Sequence, residues 1–212
     1  DAAQEALPSE LRRVGYTASG VYLTKDNTSI IPQIKKREVD TYEQKIDLMN
    51  QIVSHSGKSD FLARVAIATI ASRRVSINQL RGLTPRQSQE FQAPKTAYII
   101  RQLKRQQEVT TLSKVYGKKF IQVSIAVSEQ EQFLAVLNIV GRERPELSQS
   151  QREDEARKLI KRDRDEAGVE YGQGLINVYH AGDVFVGGNS NEISSQIARF
   201  IEAFFGSNSI SP

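Results

Sequence analysis

Two apolar runs separated by one helix-length stretch decide what this chain can fold into. Thr96-Ala97-Tyr98-Ile99-Ile100 and the segment from Phe120 to Val127, FIQVSIAV, are short, continuous and rich in β-branched residues. Runs of that kind suit strands buried on both faces. Between them, residues 105–116 place Val109, Leu112 and Val115 on one helical face, and Gly117 ends the helix. Alternation of strand and helix at this spacing predicts an α/β fold, a parallel sheet with helices on both faces.

The alternation continues in both directions. Ala3, Leu7 and Leu11 recur at fours, predicting a helix over 2–13 with Pro8 inside it and Gly15 as its stop. A strand over Gly20–Thr24 follows. Tyr42, Ile46, Met49 and Val53 mark one face of a helix over 41–54, broken at His55-Ser56-Gly57. Ser59 or Asp60 caps a second helix with Leu62, Val65, Ala66, Thr69 and Ile70 buried, closed by Arg73 and Arg74. Residues 75–94 read as loop. Phe133, Val136, Leu137 and Val140 define a helix over 129–140. Asp183-Val184-Phe185-Val186 is the last strand, and 192–205 is a closing helix with Ile193, Ile197, Phe200, Ile201 and Phe204 inward.

Arg142 to Glu166 is the most charged stretch, yet it reads as one helix. Ser148 or Ser150 caps it, Glu153, Asp154 and Glu155 occupy its first turns, and Ala156, Leu159 and Ile160 form a thin apolar seam. Interleaved acids and bases can pair at i,i+4, as on any solvated surface helix. The sharper reading is a lid that grips phosphate. Arginine forks match phosphate oxygens in bidentate geometry. The candidate phosphate contacts are Arg101, Arg142, Arg144, Arg152, Arg157 and Arg162, with Arg142 and Arg144 the leading pair. Arg101 belongs to this set because ligands of parallel sheets sit at the carboxyl ends of the strands.

Other chemistry is poorly supplied. The 212 residues include no cysteine and two histidines, His55 and His180, neither at metal-ligand spacing, so no metal site and no catalytic residue is assigned. Asp183 and Glu192 show no partner in the sequence. Neither a G-x-x-x-x-G-K-[ST] loop nor a G-x-G-x-x-G is present. Gly57-Lys58-Ser59 stands before a helix but follows another helix, which favours a helix-loop-helix corner over a phosphate loop. A net charge of +4 suits an anionic ligand such as a nucleotide and is too small to argue for nucleic acid. No apolar run reaches membrane-spanning length, so no membrane partner and a cytoplasmic location are expected.

Three segments together carry a resemblance. TAYIIRQLKRQQEVTTLSKVYGKKFIQVSIAV resembles the stretch around a nucleotide-facing strand of P-loop nucleotide kinases. RERPELSQSQREDEARKLIKRDRDEA resembles their lid, and VYHAGDVFVGGNSNEISSQIARFIEAFFG their closing strand and helix. The set, ending at FFGSNSISP, is similar to the N-terminal P-loop kinase-like domain of bacterial antiphage deoxycytidylate deaminases, from about Tyr42 to Pro212.

The resemblance implies a P-loop kinase-like domain over 1–206 with a lid-like segment at 142–166. Its central first strand and phosphate loop would lie before residue 1, and 207–212 would begin a linker to a C-terminal deaminase domain. That domain would hold zinc and turn dC nucleotides into dU nucleotides, a zinc-bound hydroxide attacking C4 of cytosine. The kinase-like part would bind ATP, GTP or a deoxynucleotide, with Mg accompanying it, and regulate the deaminase. A homo-oligomer and a regulatory RNA or protein are further implied partners. The H-x-E and P-C-x-x-C deaminase signature is absent from these 212 residues. Two alternatives remain: a true P-loop nucleotide kinase, and a catalytically dead interaction domain.

Overall fold

The computed structural model describes residues 2–23, 41–101, 103–164 and 175–205. Among these the chain is α/β and mostly helical, with four short strands. The order is α1 (Ala2–Arg13), β1 (Thr17–Tyr22), α2 (Tyr42–Ser56), α3 (Phe61–Leu80), α4 (Pro85–Glu90), β2 (Thr96–Arg101), α5 (Gln106–Tyr116), a 3-10 turn at Gly117–Lys119, β3 (Val123–Ala126), α6 (Glu129–Glu143), α7 (Gln149–Arg164), α8 (Leu175–His180), β4 (Val184–Gly187) and α9 (Ser190–Phe205).

The strands are parallel and pair in twos. β1 lies beside β2 with Thr17 opposite Thr96 and Tyr22 opposite Arg101, and β3 lies beside β4 with Val123 opposite Val184. The alternation of a strand sends successive side chains to opposite faces. On β1–β2, Val21, Tyr98 and Ile100 meet Met49, Ile52 and Val53 of α2 and Leu62, Ala66 and Ile70 of α3. Ala18, Ala97 and Ile99 point the other way, into a cluster with Ala3 and Leu11 of α1 and Ile193, Ile197 and Ile201 of α9. Val123, Val184 and Val186 enter that same cluster. Helices α1 and α9 therefore cover both strand pairs on one side, while α2 and α3 cover the other side of β1–β2. Helices on both faces of parallel strands are as predicted. One continuous sheet is not what forms: among the described residues no ladder joins β2 to β3.

Local chemistry sets most of the boundaries. Gly15, at φ +84°, ends α1 with its N–H on the Arg12 carbonyl, and Gly57, at φ +64°, ends α2 in the left-handed conformation that glycine adopts freely. Thr41, Thr84 and Ser128 each form a reciprocal capping box with the residue three positions on. Ser148 does likewise for α7, its hydroxyl accepting from the Gln151 N–H and its own N–H bonding the Gln151 side chain. The apolar seam of α7 is as predicted: Ala156 and Leu159 are buried with Val136 and Val140 of α6, and Ile160 packs at their edge.

Several expectations need correction. β1 begins three residues earlier than predicted, and Thr24 lies outside the described residues. β3 is shorter than Phe120–Val127, β4 starts at Val184, and the short helix α8 was not anticipated. Arg73 and Arg74 do not close α3, which runs on to Leu80. Arg73 is a mid-helix staple that donates to the Ser19 hydroxyl and, at 2.5 Å, to the Gly20 carbonyl of β1, while Arg74 donates to Gln89. The 75–94 loop therefore contains the end of α3 and all of α4, tied together by buried Asn78, whose amide donates to the Ser88 and Phe91 carbonyls. Val115 is 53% exposed because α5 turns Glu108, Val109 and Leu112 inward instead. Phe204 is 61% exposed, and Phe205 takes its place, stacking edge-on against Tyr16 at 5.2 Å. Residues 165–166 of the lid-like segment and the linker segment 207–212 lie outside the described residues.

Candidate anion-binding site

The loop leaving β2 builds the base of the site. Arg105 precedes α5, and Glu108, three residues on, turns its carboxylate back to accept the N–H groups of Lys104 at 2.8 Å and Arg105 at 3.1 Å. The same carboxylate holds the Arg105 guanidinium at 3.2 Å, and the other arm of that guanidinium reaches Asn50 of α2 at 2.6 Å. Arg105 and Glu108 are 2% and 0% exposed. Burial pushes the Glu108 carboxyl above the ordinary carboxylate range, against the pull of Arg105 and the two N–H donors.

Lys104 pairs with Asp163 in the last turn of α7. Asp163 also meets the Tyr42 phenol, whose pKa is raised first by burial and then by that carboxylate. The next residue, Arg164, donates to Glu129 at 3.0 Å and Gln132 at 2.9 Å in the first turn of α6. The C-terminal end of α7 is thus fixed to the segments leaving both β2 and β3. Those are carboxyl ends of parallel strands, where such folds place ligands.

From this base α7 runs beside the N-terminal half of α2. The Tyr42 N–H donates to the Glu143 carboxylate at 2.9 Å. Arg144, following α6, donates to Glu43 at 2.9 Å and pairs with Glu155 at 3.1 Å. Arg162 donates to Asp47 at 2.5 Å and lies 3.8 Å from Glu43. Two guanidinium groups, one from each end of the α6–α7 hairpin's ionic face, therefore converge on the single carboxylate of Glu43. All four side chains keep between 32% and 47% exposure.

The structure thus brings together two of the six sequence candidates, Arg144 and Arg162. Arg101 ends β2 and lies over the Tyr22 ring, 5.6 Å from its centroid, at the same carboxyl edge. The other three have different surroundings. Arg142 sits within α6, not beyond it, and donates to the Asn138 carbonyl. Arg152 donates to the Pro145 carbonyl at 2.5 Å and closes the α6–α7 turn. Arg157 lies 4.7 Å from the centre of the Phe133 ring and clamps α7 on α6. Of the leading pair, Arg144 reaches Glu43 and Arg142 does not; Arg162 does.

Sequence reasoning missed Glu43, Asp47, Lys104, Arg105 and Asp163. The signals for the first four were a pair of acids at i,i+4 on a helix and two adjacent bases between a strand and the next helix; Asp163 had none. Asp183 and Glu192, which showed no partner in sequence, have structural ones: Asp183 accepts the Gln122 N–H at 2.8 Å, and Glu192 accepts the Asn189 N–H at 2.8 Å. Gly57-Lys58-Ser59 forms the corner between α2 and α3. His180 ends α8, 5.6 Å edge-on from Tyr179.

The two arginines of this arrangement hold the carboxylates of Glu43, Asp47 and Glu155 by charge and hydrogen bonds. Among the described residues no group of three His, Asp or Glu is placed to bind a metal, and no helix is long and apolar enough to cross a membrane. With no cysteine in the chain, the residues present do not fit a deaminase zinc site. Comparison with protein-family models, curated proteins and solved structures finds no match to this chain.

Proposed function

We propose that this chain binds the phosphates of a nucleotide through Arg144 and Arg162, as the regulatory P-loop kinase-like part of a deoxycytidylate deaminase used in antiphage defence. The observation that carries the nucleotide reading is the convergence of those two guanidinium groups on the single carboxylate of Glu43, on a helix whose end is fixed to the segments leaving β2 and β3. Arginine forks are the side chains best matched to phosphate oxygens. Arg101 at the end of β2 adds a third cation to the same edge.

The kinase-like part of the reading has separate support. β1–β2 and β3–β4 are parallel and share the α1–α9 layer. In this reading a further central strand, bearing the phosphate loop, belongs between β2 and β3. The deaminase part rests on the sequence resemblance alone.

Isothermal titration of the chain with ATP, GTP and dCTP tests the nucleotide reading. Binding by at least one of them, weakened at least tenfold in R144Q/R162Q, is the expected result. No heat with any of the three, or unchanged affinity in the double variant, contradicts it.

A further inference from the structure

We infer that Glu43 and Asp47 are a built-in competitor for the anion that Arg144 and Arg162 bind, so that α2 latches the α6–α7 hairpin until a ligand displaces its carboxylates. This inference rests on the nucleotide reading and adds its regulation.

The ionic contacts around α7 fall into two groups by burial. Arg105–Glu108 and Lys104–Asp163 are buried or nearly so, and bind the base of α7 to the body of the fold. Such pairs do not exchange readily, because separating them leaves an uncompensated charge away from water. Glu43–Arg144, Glu43–Arg162 and Asp47–Arg162 all keep about a third or more of their side-chain surface in solvent. Pairs that exposed hold each other weakly, and water or another anion can replace either partner.

The placement of the acids supports competition. Glu43 and Asp47 stand one turn apart on α2, an arrangement of like charges that is unfavourable on a helix by itself. Arg162 reaches both and relieves it. Glu43 accepts from Arg144 on one oxygen while Arg162 lies nearer the other, occupying the two forks much as two oxygens of a phosphate would. Arg144 has a second partner on α7 itself, Glu155 at 3.1 Å. When Glu43 leaves, Arg144 is still held in place. A polyphosphate carries more charge than the two carboxylates and offers more oxygens, so it outcompetes them while paying no side-chain ordering in α2.

The test uses inorganic tripolyphosphate as probe, titrated calorimetrically into the whole chain and into E43Q, D47N, E43Q/D47N and R144Q/R162Q. Circular dichroism melts confirm that each variant is folded. Loss of these exposed pairs predicts that E43Q/D47N binds about two- to tenfold tighter than the native chain. Amide exchange along α7 in the absence of ligand should also be faster in that variant. Tripolyphosphate binding by E43Q/D47N alone, with none by the native chain, also supports the latch. Native binding that is lost in R144Q/R162Q but not tightened in E43Q/D47N overturns the latch and leaves the nucleotide reading standing. No binding by any folded form overturns both.

Discussion

Replacing Glu108 with alanine should destabilise the fold by about 3–5 kcal/mol, the range for breaking a buried ion pair from one side. The structure gives the reason. One carboxylate satisfies the Lys104 and Arg105 N–H groups and one arm of the Arg105 guanidinium. With both side chains closed to solvent, water cannot take its place. Each backbone donor left unsatisfied costs about 1–3 kcal/mol, and Arg105 keeps only its contact with Asn50 among these partners. Exchanging both members for apolar residues of similar size, R105M/E108L, should return only the part due to the unpaired guanidinium, because the backbone N–H groups of residues 104 and 105 still lack the acceptor that Glu108 supplied. The exposed pair Arg86–Glu90 on α4 is the internal control. R86A should change stability by less than about 0.5 kcal/mol. Urea unfolding followed by far-UV circular dichroism and extrapolated to water measures all three. A cost below about 1 kcal/mol for E108A, or an R105M/E108L variant as stable as the native chain, would refute the account of this loop.

Two further outcomes follow from the packing and the charges. Ile197, fully buried beneath both strand pairs, should cost about 2–5 kcal/mol when cut to alanine, whereas Phe204→Ser on the exposed side of the same helix should leave unfolding nearly unchanged. Asp60 has its carboxyl held below the ordinary range, first by the Arg64 guanidinium, with burial opposing and the Thr111 hydroxyl assisting. A carboxylate with a lowered folded pKa stabilises above its unfolded pKa of about 3.9 and loses that contribution as pH falls through the folded value. The stability gap between the native chain and D60N should therefore be present at pH 7 and close in acid, as read by urea midpoints at each pH; a gap that widens in acid has the wrong sign.

Periodicity and capping made most of the helices legible. Ser148 caps α7 as read from the sequence, Asp60 precedes α3 without a side-chain capping bond, and the stripes at 42–53, 62–70 and 193–201 are the buried faces found. The strands were placed to within a few residues, but not how they associate, since pairing between β2 and β3 depends on tertiary geometry that no local run encodes. Helix α3 was cut short at Arg73 because terminal arginines suit a helix end. Here they bond β1 and the α4 turn instead, a choice visible only in three dimensions. Val115 was assigned inward on spacing alone, and the burial of Glu108 rotated α5 away from it. For the candidate site, arginine chemistry pointed to the α6–α7 hairpin. It did not tell Arg144 and Arg162, which meet Glu43, from Arg152 and Arg157, which hold the hairpin together. Their partners are more than 10 residues distant in sequence or lie on a neighbouring turn, and a charge run offers each arginine several acids at once.

The most direct test of the nucleotide reading is the melting temperature of the chain against increasing ATP, GTP or dCTP, beside R144Q/R162Q. A ligand that binds only the folded state at one hundred times its Kd stabilises by about 2.7 kcal/mol. For a chain of this size each kcal/mol shifts the midpoint by about 2–4 °C. The account predicts a rise of about 5–11 °C with at least one nucleotide, and its loss in the double variant. A midpoint that stays fixed across all three nucleotides, or that rises equally without the two arginines, contradicts it.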